Sequence, residues 1–237
     1  MSRRLRLFPL NAVLFPGAAL NLHVFEPRYK QMINECLESG EGFGVALIAE
    51  GAEAGDSHVT PHDIGSVAEI VDVQPLPFGR YFISTIGRQR FRIREIVSRE
   101  PYLTVEVEMI EESDSSDDHL DALLTDVRVL FAEYLEMLME FSGEEAAIVL
   151  AGDARSTSYI IGNTLQVAEP IKQRLLELEG VRERLRAEHD FLQKLLPQLR
   201  SLLERRRREA ELRKERGEDN TYRTAQEQFF GKYFSAN

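Results

Sequence analysis

The side chains most able to grip a ligand lie in residues 88–94, where an arginine stands at every second position. Successive side chains of a β-strand point to opposite faces, so the pattern predicts a ladder of four guanidinium groups with Phe91 and Ile93 directed inward. Such a ladder suits phosphates or an acidic peptide. The alternative is a solvated face whose arginines pair with Glu106 and Glu108 on the following strand. The four candidates for this anionic-ligand face are Arg88, Arg90, Arg92 and Arg94.

Residue patterns for catalysis or cofactor binding are not found in the sequence. A phosphate-binding loop needs a glycine five residues before its Gly-Lys pair, and Gly231-Lys232 lacks one. No G-x-S-x-G elbow is present, although spacing alone does not decide on a Ser–Lys dyad. His58 and His62 flank Pro61 in a predicted loop, which favours solvated side chains over a metal site. We therefore expect a non-enzymatic protein with no catalytic residue, no cofactor and no metal.

Two turns combine proline with aromatic and aliphatic side chains. The first contains Phe15 and Pro16, and the second spans residues 76–80. A proline-rich turn holds such side chains with little backbone entropy left to lose on binding. We predict that these turns contact extended or unfolded peptides, and the candidate residues are Phe15, Pro16, Leu76, Pro77, Phe78 and Arg80.

The elements that would position these residues are predicted to be strands up to residue 112. Apolar residues alternate with polar ones in several short runs, of which residues 103–109 are the clearest. Glycine and proline separate the runs, as in a small barrel or a folded-over sheet. One helix is predicted after Pro27, with Cys36 on its apolar stripe and Gly40 at its C-terminal cap. Residues 1–112 are therefore expected to form a β-rich domain.

The pattern changes to helical after the acidic, serine-rich residues 111–119. Four helical segments over residues 113–203 predict a helical bundle subdomain, with Pro197 kinking or splitting the last helix. Residues 204–237 form a charged tail for which an exposed helix and disorder are both open. The aromatic residues at its end could dock onto another protein or a second copy, or be a frayed terminus; they are Phe229, Phe230, Tyr233 and Phe234.

Composition limits the cellular setting. The chain has 237 residues, 43% of them hydrophobic, and a net charge of −11, which argues against nucleic acid and anionic membranes as partners. Its single cysteine, Cys36, forms no internal disulfide and suits a reducing cytoplasm. No apolar run is long enough for a membrane span, and the N-terminus lacks the apolar region of a signal peptide. We expect a cytoplasmic protein.

Three motifs point to a family. The first joins Pro9, residues 13–17, residues 25–29 and Met32, and the others are residues 64–68 and 87–93. Together they resemble the N-terminal substrate-binding domain of Lon proteases, and residues 158–196 resemble the helical bundle that follows in that family. The resemblance implies an α+β fold, with a β-rich PUA-like pseudo-barrel carrying one inserted helix, followed by a C-terminal helical subdomain. Because Walker motifs and the Ser–Lys protease module are not found, the chain resembles the stand-alone members of the family.

Two functions remain open at this point. The resemblance implies a non-enzymatic module for protein quality control, with unfolded or degron-bearing proteins as clients and a protease or chaperone as a further partner. The alternative is RNA binding through residues 88–94, since PUA-like barrels include RNA binders. Homo-oligomerisation is also left open.

Overall fold

A computed structural model describes residues 2–51, 59–112, 117–143, 150 and 152–215. They form two compact units. The first comprises the described part of residues 1–113 together with residues 162–164 and 169–177. Its strands and helix are β1 (Ser2–Leu10), β2 (Ala19–Val24), α1 (Pro27–Ser39), β3 (Phe43–Glu50), β4 (Thr60–Pro61), β5 (Ile64–Leu76), β6 (Arg80–Ser98) and β7 (Leu103–Met109).

Strand pairing closes the first unit into a barrel. The sheet runs β1-β7-β6-β5-β3-β4, and β1 also pairs in parallel with β3, which joins the two ends of a five-stranded ring. Inside lies an apolar cluster of strand residues, including Leu7, Phe91 and Val105. Alternation along β7 fits this arrangement, since Leu103, Val105 and Val107 are buried as predicted. With its helices, the chain has the predicted α+β fold.

Helix α1 forms as its sequence predicts. Pro27 occupies its first turn, where a missing N–H costs no hydrogen bond, and Gly40 caps its end. Most of its apolar stripe is buried: Met32 and Ile33 are fully inaccessible and Cys36 is only 1% exposed, whereas Leu37 at the end of the stripe is 45% exposed. The expectation that Cys36 is a core residue is therefore confirmed.

The helices of the second half are α2 (Asp118–Ser142), α3 (Ala154–Thr164), α4 (Glu169–Glu177) and α5 (Val181–Glu215). The predicted bundle placed α4 with the other three, but the compact units place α4 with the sheet. Polar contacts hold it there: the Glu169 carboxylate accepts the Val13 N–H at 2.7 Å, and the Gln173 amide donates to the Ile64 carbonyl at 3.0 Å. Such contacts are long-range in sequence, so helical periodicity could not predict them.

Helices α2 and α5 run parallel in the second unit. Ion pairs join Glu133 to Arg200 and Glu140 to Arg207. The partners are seven residues apart on both helices and their numbers rise together, as expected for parallel helices in register. Pro197 was predicted to kink or split the last helix; it does not split it, because α5 continues through residue 197. The proline lies on an exposed face, where water can satisfy the carbonyl that loses its partner.

A buried polar cluster lies in the core of the second unit. Arg184 Nε donates to Ser158 Oγ at 2.7 Å, and the Ser158 hydroxyl donates to a Glu188 carboxylate oxygen at 2.9 Å. All three side chains are inaccessible to solvent, and burial raises the pKa of Glu188 well above its ordinary value. Within the described residues, no helix is both long and apolar enough to cross a membrane.

Candidate peptide-binding surface

The turn between β5 and β6 presents an aromatic ring to solvent. Leu76 and Arg80 are the last paired residues, and Pro77–Gly79 forms a 3-10 turn between them. Phe78 (φ 65°, ψ 29°) and Gly79 (φ 64°) both have left-handed backbone, as at the centre of type I′ hairpin turns. Glycine adopts this conformation freely, whereas phenylalanine does so at a cost. Phe78 is nevertheless 90% exposed, so no burial of its ring offsets that cost.

Further aromatic side chains lie beside this turn, on β6, on β2 and directly after β2. Phe82 follows Arg80 by two residues on the same face of β6 and is paired with His23 of β2. The ring centroids of His23 and Phe25 are 5.7 Å apart, and the Arg80 guanidinium lies 5.9 Å from the centroid of Phe78. Phe25 and Phe82 are 55% and 36% exposed. We call this group, His23, Phe25, Phe78, Arg80 and Phe82, the hairpin-tip surface.

The opposite face of the same strands anchors the hairpin. Ile83 and Val24 are buried in the first unit, and the Tyr81 hydroxyl donates to Asn34 Oδ1 of α1 at 2.9 Å. Strand alternation thus places an apolar anchor inside and aromatic rings outside. A hairpin held in this way needs little ordering when it binds a partner, which limits the entropic cost of association.

The hairpin-tip surface contains only part of the predicted peptide-binding set. Phe78 and Pro77 are exposed, and Leu76 and Arg80 are half-buried. Phe25 and Phe82 were not predicted, although alternation around the buried Ile83 would have directed Phe82 outward. No comparable signal identified Phe25, because residues 25–29 also fit the start of a helix.

The prediction that Phe15 contacts a peptide is wrong, because its side chain is fully buried. Residues 15–18 form a turn closed by the Ala18 N–H donating to the Phe15 carbonyl at 3.1 Å, with Gly17 at φ 82°. The turn directs the Phe15 ring inward against Gly162, where a Cβ atom would lie 2.8 Å from Phe15 Cε1. Pro16 remains half-buried at the corner of the turn.

The predicted arginine ladder is also wrong in its geometry. Irregular pairing of β6 with β5 near Ser66 and with β7 near Ile93 breaks the strict alternation, and Arg90 and Phe91 are both buried. Arg90 forms an ion pair with Glu112 and donates to the Leu176 carbonyl at the end of α4. It therefore ties three segments of the first unit together.

The predicted alternative, pairing with Glu106 and Glu108 on β7, holds for Arg94 and not for Arg88, whose partner lies on β5. Arg88 Nε donates to a Glu69 carboxylate oxygen at 2.6 Å, and Arg94 Nε donates to Glu108 at 2.9 Å. These ion pairs lower the pKa of both carboxyl groups. Arg92 is half-buried. Residues 88–94 thus do not present four free guanidinium groups on one face.

One predicted set of residues falls outside the described residues. The predicted tail-docking aromatics, Phe229, Phe230, Tyr233 and Phe234, lie beyond residue 215, where the description ends. In the described ranges, no group of three or more histidine, cysteine, aspartate or glutamate side chains could hold a metal ion.

The barrel with its inserted helix and following helices has the fold of Lon N-terminal domains. The N-terminal domain of the Mycobacterium avium complex Lon protease superimposes with a TM-score of 0.61 and 20% identity, covering 81% of this chain and 98% of that one. A Lon N-terminal domain protein from Xanthomonas campestris gives a TM-score of 0.59 and 28% identity, covering 78% of this chain and 95% of its own.

Sequence comparison agrees with the fold. The model of the ATP-dependent protease La (LON) substrate-binding domain matches residues 4–194, and the chain belongs to this family. The Lon protease of Flavobacterium johnsoniae is 29% identical over 186 residues, which are 76% of this chain and 22% of that protein. Lon protease 3 of Sorangium cellulosum is 29% identical over 185 residues, with the same coverage of 76% and 22%. The chain thus spans little more than a fifth of the length of these curated relatives.

Proposed function

We propose that this chain is a non-enzymatic, PUA-like recognition module that binds unfolded or degron-bearing proteins through the hairpin-tip surface. The main observation behind this proposal is that Phe78 is 90% exposed although its backbone is left-handed. An unfavourable backbone conformation that brings no burial is consistent with selection for binding. Membership of a substrate-binding domain family supports the same function.

The chemistry of the surface suits an unfolded client. Its exposed rings offer large apolar contact area with few rotatable bonds, as in the residues that dominate protein interfaces. Folded proteins keep their apolar side chains inside, whereas unfolded segments present them to such a surface. We further propose a cytoplasmic location, and that a protease or chaperone receives the bound client.

Binding can be tested by fluorescence anisotropy with a labelled, reduced and carboxymethylated protein that cannot refold. We expect saturable binding, weakened roughly tenfold or more by the double substitution Phe78→Ser and Phe82→Ser. Val129→Ser is a matched control, because Val129 is 65% exposed on α2 and lies outside this surface. The function would be contradicted if the wild-type chain shows no saturable binding at concentrations on the order of tens of micromolar.

RNA binding through residues 88–94 has less support. Arg90 is buried, and Arg88 and Arg94 are occupied by ion pairs with Glu69 and Glu108. If RNA were the ligand, its affinity would fall steeply as salt concentration rises. A salt-dependent gel shift that Arg88→Ala abolishes would favour this alternative.

A further inference from the structure

Strand β2 has one edge that no strand of the described residues covers. It pairs with β6 over six residues, and this is its sole pairing within the described sheet. Natural edge strands usually carry charges or proline that prevent another chain from pairing. The sequence of β2, ALNLHV, contains neither lysine, arginine, acidic residue nor proline. This edge thus lacks the usual protection against strand addition.

The hydrogen bonds at the start of β2 determine which backbone groups face this edge. The Gly17 N–H donates to the Gly87 carbonyl, and the Gly87 N–H donates to the Ala18 carbonyl, both at 2.8 Å. Bonded and non-bonded pairs alternate along an antiparallel ladder. Every second residue after Ala18 therefore directs its N–H and C=O towards β6, and these residues are Leu20, Leu22 and Val24. In agreement, the Thr85 hydroxyl of β6 donates to the Leu20 carbonyl. The N–H and C=O groups of the intervening residues, Ala19, Asn21 and His23, face away from β6.

The side chains along this edge are also incompletely covered. On the core side, Leu20 and Leu22 are half-buried, whereas Val24 on the same face is 1% exposed. On the outer side, Asn21 and His23 are exposed, and His23 belongs to the hairpin-tip surface. An added strand would place alternate side chains beside Leu20 and Leu22 and would continue the sheet next to the exposed rings.

We propose that the client adds to β2 as an extended strand, its main chain hydrogen-bonded to Ala19, Asn21 and His23. This inference rests on the proposed function and specifies its substrate class: extended polypeptide with an apolar residue at every second position. The net charge of −11 disfavours association of two copies of the chain, and we therefore take the occupant to be a different polypeptide.

The backbone at Asn21 allows a direct test. Asn21→Pro removes an N–H that faces away from β6, so the β2–β6 ladder keeps its hydrogen bonds. Asn21→Ala, the matched control, keeps the N–H. The probe is a fluorescein-labelled peptide of about ten residues that alternates valine with threonine between terminal lysines. We expect Asn21→Pro to bind the peptide at least about fivefold more weakly than Asn21→Ala, because both variants lose the Asn21 side chain and only the proline loses the N–H.

Amide hydrogen exchange on the wild-type chain needs no variant and remains decisive if Asn21→Pro fails to fold. We expect the amides of Ala19, Asn21 and His23 to exchange at least about tenfold more slowly once the peptide is bound. Unchanged exchange at saturating peptide would overturn strand addition. Protection that instead appears with rising protein concentration, without peptide, would overturn the choice of occupant in favour of a second copy.

Failure of this inference can be told apart from failure of the proposed function. If the wild-type chain binds neither the unfolded protein nor the peptide, both are wrong. If it binds the unfolded protein and loses binding with Phe78→Ser and Phe82→Ser, while β2 amide exchange is unaffected, only strand addition is wrong.

Discussion

Replacing Phe78 by asparagine should stabilise the protein while weakening its binding. A left-handed conformation costs an ordinary L-residue about 1–2 kcal/mol. Asparagine is favoured in type I′ turns, so its free-energy cost in this conformation is much smaller. Because the Phe78 ring is 90% exposed, its removal forfeits little buried area. The exposed cation–π contact with Arg80, at 5.9 Å, lies near the distance limit for such contacts and contributes about 0.5 kcal/mol. We therefore expect a net gain of about 0.5–1 kcal/mol.

Thermal unfolding followed by far-ultraviolet circular dichroism measures this gain. For a chain of this size, it corresponds to a rise of roughly 1–4 °C in Tm. Phe82→Asn is the matched control, because the same chemical change in a regular strand meets low β-propensity and should lower the Tm. A lower Tm for Phe78→Asn, or shifts of the same sign for both variants, would refute the assignment of strain to the turn.

Three further predictions concern buried groups. Arg90→Met should lower the free energy of unfolding in urea by about 3–5 kcal/mol, because it leaves the Glu112 carboxylate buried without its cation. Arg88→Met removes an exposed ion pair and should leave that free energy unchanged. Equal effects of the two substitutions would contradict a stabilising role for the buried Arg90–Glu112 pair. Burial raises the pKa of Glu188, so the folded state binds its proton more tightly than the unfolded chain, and stability falls as pH rises above the unfolded pKa. The difference in Tm between Glu188→Gln and wild type should therefore grow in favour of the variant from about pH 5 to about pH 7.5. A difference that shrinks over this range would refute the raised pKa. Burial raises the pKa of Cys36 to about 11, so iodoacetamide at about pH 8 should modify this thiol only in the urea-unfolded chain. Mass spectrometry measures the modification, and a modified thiol in the native protein would disprove its burial.

Local patterns predicted the parts of the fold that depend on neighbouring residues. Period-2 alternation in β7 and the apolar stripe of α1 each describe one element, and the tertiary structure buries most of the side chains that they indicate, with Leu37 as an exposed exception. The sequence also placed Phe78 in an exposed turn, because a proline and a glycine flank it. Predictions that required two elements at once were less accurate, as the grouping of α4 with the sheet shows.

The candidate site illustrates the same limit. Phe15 and Phe78 both stand beside proline in turns, yet one ring is fully buried and the other almost fully exposed. Their difference arises from Gly162, which is distant in sequence and leaves room for the Phe15 ring. Phe25 and Phe82 join the surface only because β2 pairs with β6 and brings His23 beside Phe82.

By itself, the sequence determined the element types, the α+β class, the family motifs and the burial of Cys36, because each depends on residue type and local spacing. The tertiary structure decided which side of each element faces a partner. Bulges in β6 turned Arg90 from a ligand-binding candidate into a buried ion pair, and strand order left the edge of β2 open. Register and edge exposure depend on contacts between segments far apart in the chain, and no local pattern encodes them.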